Sequence, residues 1–500
     1  MRQINNASKI RFMPFPEFTL LLKYTSTFNC SPDSASTLTI AVFCYLNGMI
    51  NKIGFIWCFM VASLQLAACG GAEHPQIPEL ASTPYQPDSG NLMIRCGSLI
   101  DGRSDQVRRD VDVLIRNGRF VEIGSVLDNP DGLPVFDLSA YTCLPGLIEM
   151  HAHILESFEE LVDLTLYYDY SHEDYMDKGR EYSKKSIDAG FTTVRNLAVY
   201  FGWADRDLRD RIDRGEVIGP RLQAAGFYLT IPGGGGDLLE PGGREEDIPG
   251  HLRMGVSRSP DEFRRNAQAA VDGGADVLKV IASGAVLAYG GVPGEPEMSP
   301  GDITAVVEVA RAAGLRVAAH AHGAQSIKDA ILAGADTIEH ATYIDEEGIA
   351  LAIENDVALA MDVGAGDWMI EEGRKQGWVE EFLRKTIETT QVQRENFRRA
   401  HEAGATIVYG TDAGIYPHGM NGIQFAYMVE WGMTPMEAIM AATSVAARYL
   451  DWEDRVGAVE PGLFGDLVAV KGDPLKDISV LEHVDAVVKG GLVFKKSDRE

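Results

Sequence analysis

Cysteine and positive charge are scarce in this 500-residue chain. Only 45 Lys and Arg stand against 73 Asp and Glu, a formal charge of −28. That balance excludes nucleic acid and anionic lipid surfaces as partners held by charge. The six cysteines form no CxxC pair, so no zinc-knuckle framework is encoded. No HExxH occurs, which excludes the zincin proteases. The Gly-rich stretch "IPGGGGDLLEPGG", 231–243, lacks the Lys-Ser/Thr of a phosphate-binding loop, and its glycines suit a lid or a close backbone approach. The hydrophobic content of 45% is that of a globular protein with a sizeable core.

Long apolar runs are also missing, with one short exception near the start. "MINKIGFIWCFMVASLQLAACGG", Met49 to Gly71, is too short for a comfortable membrane span and reads as a secretory signal ending in small residues. Leu66-Ala67-Ala68-Cys69 resembles a bacterial lipoprotein signal with Cys69 as the lipidated residue. On this reading Met49 is the true start, residues 1–48 are a spurious extension, 49–69 are the signal and 70–90 a Pro-rich tether. The expected location is the bacterial cell envelope, lipid-anchored and facing the periplasm, with no other membrane contact. An ordinary signal in which Cys69 is incidental is the alternative. Processing leaves Cys69, Cys96 and Cys143. A Cys96–Cys143 disulfide is permitted in an oxidising compartment, and two buried thiols fit equally well.

From about residue 180 one phrase recurs: a helical segment, a glycine, a short apolar strand, a polar residue. It is seen in "DAGFTTVRN", "GGADVLKV", "AAGLRVAAHAH", "LAGADTIEH" and "EAGATIVYGTD". The glycines fit helix C-caps, and Ser259-Pro260, Ser299-Pro300 and Thr434-Pro435 fit helix starts. With "LPGLIEMHAH", "PRLQAAGFYLT" and "ALAMDVG" there are eight candidate strands, which predicts an α/β fold: a (β/α)8 TIM-type barrel over 144–454. An open doubly wound sheet is the alternative. Residues 91–143 and 455–498 are β-rich with turn signals, and predict a small β-sandwich domain built from both chain ends.

Barrel enzymes keep their chemistry at the C-terminal ends of the strands. There the chain places His151 and His153, Lys279, His320 and His322, His340, and Asp412. Residues two apart on a strand point the same way, so each HxH presents a pair. Five histidines, an acid and a lysine at equivalent points of successive units suit zinc or a similar divalent ion. Lys279 is the odd member: "VLKVIAS" is an apolar strand, a poor home for an ammonium ion.

The order HxH, Lys, His, His, Asp resembles the amidohydrolase superfamily over about 92–498. "LPGLIEMHAH", "VAAHAHG", "IEHATY" and "GTDAG" look most like its imidazolonepropionase-related, Xaa-Pro dipeptidase (prolidase)-like and ochratoxinase-like branch. The resemblance implies two divalent ions, zinc by expectation, bridged by a carboxylated Lys279. An apolar strand favours the neutral amine that reacts with CO2. It further implies that His151 and His153 hold one ion with Asp412, that His320 and His340 hold the second, and that Asp412 is the catalytic proton acceptor for a hydroxide between the ions. In "AHAHG" either histidine fits as ligand, and the resemblance leaves His322 to the substrate. His418 is expected to touch substrate or make an orienting hydrogen bond, while Tyr289 and Arg258 are candidates for binding a carboxylate. The implied function is hydrolysis of an amide bond in a dipeptide or N-acyl amino acid. Alternatives are a single-metal cyclic-amide hydrolase or deaminase, or a non-catalytic surface lipoprotein. Partners are expected to be small molecules or dipeptides, with a homo-oligomer possible. Many relatives carry a histidine in the Gly-rich loop and Asp at Asn196; those departures bear on the substrate.

Overall fold

The computed structural model describes residues 85–496 apart from 241, and in the earlier segment only the dipeptides 7–8 and 22–23, which pair antiparallel. Cys69 and the expected signal lie outside the described residues. No described helix is long and apolar enough to cross a membrane.

Strands β1 (Leu92–Ile100), β2 (Val107–Arg116), β3 (Arg119–Gly124) and β4 (Val135–Pro145) open the body. The last three strands, β13 (Leu467–Val470), β14 (Ala486–Lys489) and β15 (Leu492–Lys496), join them in one seven-stranded sheet of order β15-β14-β13-β4-β1-β2-β3. Both chain ends thus contribute strands to this one sheet. Its inward residues form a core of their own, among them Ile94, Val113, Phe136, Leu467 and Val488. Cys96 on β1 and Cys143 on β4 are joined by a disulfide with a Cα–Cα distance of 5.9 Å. The body starts earlier than expected. Residues 85–90, read as the end of a tether, are docked: Tyr85 N–H donates to Gly215 O, Gly90 N–H donates to Gly490 O, and Asp88 pairs with Arg221.

Eight parallel strands follow: β5 (Leu147–Ala152), β6 (Phe191–Asn196), β7 (Arg221–Ala224), β8 (Val277–Ile281), β9 (Arg316–Ala321), β10 (Thr337–His340), β11 (Ala358–Ala360) and β12 (Ile407–Val408). They form two ladders, β5-β6-β7 and β8 through β12. Backbone bonds close both seams. Asp276 N donates to Ala224 O at 2.7 Å and Leu229 N to Lys279 O at 3.0 Å, while Met150 N donates to Tyr409 O at 2.9 Å and Asp412 N to His151 O at 2.8 Å. The barrel is therefore closed, and the open sheet is excluded. Local sequence explains the helices between strands. Ser259, Ser299 and Thr434 accept the expected capping bonds from Glu262, Asp302 and Glu437 N–H, each ahead of a proline at the first turn. Gly314 and Gly334 end their helices at φ 71° and 99°, a conformation a side chain would oppose.

Candidate active site

Parallel registry of the strands decides what meets at the mouth. Ile281 pairs with His320 and Ala321 with His340, so β8, β9 and β10 end at one level. His151, His153, Lys279, His320, His322, His340 and Asp412 converge there, none more than 8% exposed. Asp412 Oδ1 lies 3.3 Å from His151 Nε2 and 3.2 Å from His153 Nε2. The rings of His320, His322 and His340 stand 4.5 to 4.7 Å apart. His340 and Asp412 adopt φ of 69° and 60°, left-handed backbone at residues that are not glycine. Strain of that kind persists where the surroundings over-determine a functional position.

Burial sets the protonation. It lowers His151, His320 and His322 well below the ordinary histidine value, leaving neutral rings with free lone pairs. Burial acts on His340 too, but the Asp362 carboxylate, 3.0 Å from its Nδ1, outweighs it and raises the ring. Burial would raise Asp412, yet His151 and His153 hold it well below the carboxylate range. Burial pushes the Lys279 ammonium down to about 8.

Five atoms of this ring have no hydrogen-bond partner although buried: His151 Nδ1 and Nε2, His320 Nε2, Lys279 Nζ and Asp412 Oδ1. Buried polar atoms are seldom left so, and several of them around one cavity suit a ligand. The histidine lone pairs and carboxylates fall into three overlapping groups, His151-His153-Asp412, His320-His322-His340 and His340-Asp362-Asp412, each with ligand atoms within 4.8 Å of one another. This donor set fits divalent cations.

Behind the ring stand residues that sequence reasoning missed. Glu339, wholly buried, brings Oε2 to 3.1 Å from His151 Nδ1, and its Oε1 accepts from Arg195 Nη2 at 2.9 Å. Arg195 in turn donates to Met150 O at 2.7 Å. Tyr228 bridges His153 Nδ1 at 2.9 Å and Glu156 Oε2 at 3.1 Å. Glu149 accepts from His151 N, Thr411 N, Thr411 Oγ1 and Asn421 Nδ2, clamping β5 to the segment after β12. A charged residue inside an apolar strand run, "TTVRN" or "TIEH", was the available signal.

Residues 142–493 match the amidohydrolase family. The chain belongs to that family. As a member it is an amide-bond hydrolase, and the clustered histidines and carboxylates could hold metal ions. Ochratoxinase of Aspergillus niger is 30% identical over 327 residues, 62% of this chain and 67% of that protein. A crystal structure of a Xaa-Pro dipeptidase with methionine bound in its active site superposes with a TM-score of 0.75 at 35% identity, covering 81% of this chain and 100% of that one. A prolidase complexed with N-methylphosphonate-L-proline superposes at 0.75 with 26% identity, again covering 81% and 100%.

Within this amidohydrolase, not every expected substrate residue reaches the cavity over the ligand ring. His322 lines it, with Nδ1 held by Thr342 Oγ1 at 2.7 Å. Tyr289 does not: it packs on Phe382 with ring centroids 4.9 Å apart, and its loop lines the cavity with Ala285, Val286 and Leu287 instead. His418 does not line it either. It stacks on Tyr182 and its Nε2 bonds Glu156 O at 2.9 Å. Arg258 pairs with Glu245 at the surface. Asn196 Oδ1 accepts from Ile154 N at 2.7 Å and steadies the end of β5.

Proposed function

We propose that this amidohydrolase is an exported, two-metal enzyme that cleaves the amide bond of dipeptides or N-acyl amino acids. The reading is carried by buried atoms without hydrogen-bond partners on residues that line one cavity: His151 Nε2, His320 Nε2, Lys279 Nζ and Asp412 Oδ1. His151 and His153 with Asp412 would hold one ion, His320 and His340 the other, and Lys279, as its carbamate, would serve both. Lys279 suits that modification, because burial lowers it from 10.5 to about 8 and so enlarges the fraction of neutral amine that reacts with CO2. Zinc is the expected metal.

When bound, the ions supply Lewis acidity, acidifying water and polarising the amide carbonyl. The chain's own residues do the rest. Asp412 receives the proton of the attacking water and delivers it to the departing amine nitrogen. Glu339 and Arg195 keep the His151 ring oriented, and Tyr228 does the same for His153. Export, with Cys69 as lipid anchor toward the periplasm, is supported by the signal-like run before Cys69 and by the Cys96–Cys143 disulfide, a bond suited to an oxidising compartment.

The test uses purified protein loaded with Zn2+ in bicarbonate. Metal content is measured, and turnover is followed on a library of dipeptides and N-acyl amino acids, with Asp412→Asn as control. Two ions per chain and Asp412-dependent release of an amino acid are expected. Two ions without turnover would move the reaction to cyclic amides. One ion, with Lys279 unmodified by mass spectrometry, would overturn the two-metal reading.

A further inference from the structure

The cavity above the ligand ring, about 140 Å3, has walls whose acidic side chains and threonine hydroxyls already bond within the fold. Resting on the amide-hydrolase reading above, we infer that this chamber takes an uncharged, apolar part of the substrate, aromatic or branched aliphatic, and that binding does not require a free carboxylate on it.

Three observations carry this. The first is charge. Outside the ligand ring the charged residues of the wall are Glu156 and Asp362. Glu156 accepts from Tyr228 Oη at 3.1 Å and Tyr200 N at 3.1 Å, and Asp362 is held by His340 and by Gln393 Nε2 at 2.7 Å. Each of these carboxylates is thus already held in place by two donors of the fold. Among the described residues, no Arg lines the chamber, and its single lysine is Lys279 in the ring.

The second is the state of the hydroxyls. Three threonines of the helix Glu380–Glu402 line the chamber, but each donates to its own helix: Thr386 to Phe382 O at 2.8 Å, Thr389 to Lys385 O at 2.8 Å and Thr390 to Thr386 O at 2.7 Å. They offer methyl groups and lone pairs, not protons. A carboxylate only accepts, so it gains nothing from them. The Gly235 N–H, also in the wall, is spent on Glu297 Oε2 at 2.9 Å. Tyr200 supplies a neutral hydroxyl, enough for a carbonyl or an alcohol as readily as for an acid.

The third is the rest of the lining. Leu164, Tyr167, Met369, Val286, Leu287 and Ile415 are apolar or aromatic, and Tyr167 and Tyr200 pack with centroids 4.9 Å apart. Such a surface gains from burying an aromatic ring, whereas an unpaired charge would lose its hydration with no compensation.

The experiment compares kcat/KM for N-acetyl derivatives of Phe, Leu, Lys and Asp, together with N-acetyl-phenylalaninol and N-acetyl-leucinol, which lack the carboxylate. Phe and Leu should exceed Lys and Asp by roughly 100-fold or more, and each alcohol should fall within about tenfold of its acid. Lys or Asp matching Phe would overturn the inference. So would alcohols falling about 100-fold below their acids, because that requires a carboxylate site. If none of the six is cleaved, they are titrated by calorimetry into the metal-loaded protein. Tighter binding of the Phe and Leu compounds then upholds the chamber and removes the amide reading, whereas equal binding of charged and apolar compounds removes the chamber itself.

Discussion

At the barrel mouth, Lys279 sits buried among histidines with a head that bonds to nothing. Where the end of β14 meets the start of β7, Lys489 is equally buried, but its Nζ donates to Gly219 O at 2.8 Å beside the Arg221, Asp88 and Asp466 cluster. Burial pushes both lysines down to about 8. Burial and a displaced pKa therefore do not separate a functional lysine from a structural one. Satisfaction does: the seam spends its lysine on the fold, whereas the mouth keeps one in reserve.

The comparison breaks first at Asp412. Asp412→Asn should lower kcat by roughly a thousandfold or more, with a melting temperature within a few degrees of wild type. A comparable loss of folding would make the mouth a structural cluster like the seam. The two lysines come next. Lys279→Ala should strip metal and cost roughly 100-fold or more in activity without destabilising the metal-free protein, because it removes an unpaired buried amine. Lys489→Met should keep its metal and lose about 2 kcal/mol of stability, since Gly219 O is left without a donor. Metal analysis and denaturant unfolding of the pair decide the matter.

Stability against pH sharpens the same contrast. Burial holds folded Lys489 near 8, below its ordinary 10.5, so the folded state sheds this proton first. Its unfavourable burial is fully felt below about 8 and relieved as pH rises toward 10.5, so wild type should gain stability over Lys489→Met across that range. A flat difference between the two would contradict the assignment. A smaller effect belongs to Glu339→Gln, which should weaken metal binding by about 10- to 100-fold in chelator competition while the protein stays folded. The smallest is Tyr289→Phe, expected within about twofold of wild type in kcat/KM because its ring faces Phe382 and not the cavity.

Much of this was legible in the chain. The barrel could be read because each unit repeats the same signals: capping serine and proline, glycine at the helix end, apolar strand, polar terminus. The ring could be read because a strand's period of two makes HxH a same-side pair, and because histidines at successive strand ends share one level in a barrel. Tyr289 was misplaced because loop position says which end of the barrel a residue occupies, not which way it turns. Arg195 and Glu339 were overlooked although each is a charge in an apolar strand, the very signal that singled out Lys279. Their partnership spans 144 residues of sequence separation, and nothing local announces it.

The amino-acid sequence alone determined the family, the alternation of strand and helix, and the identity of the histidines, lysine and aspartate at the mouth. These depend on short-range periodicity and on residue chemistry. Tertiary structure decided the rest: which carboxylates stand behind which imidazoles, that the threonine hydroxyls turn back on their own helix, and that Cys96 and Cys143 meet across β1 and β4. Closure of the barrel brings Glu339 to His151 from distant segments, and the seven-stranded sheet does the same for Cys96 and Cys143.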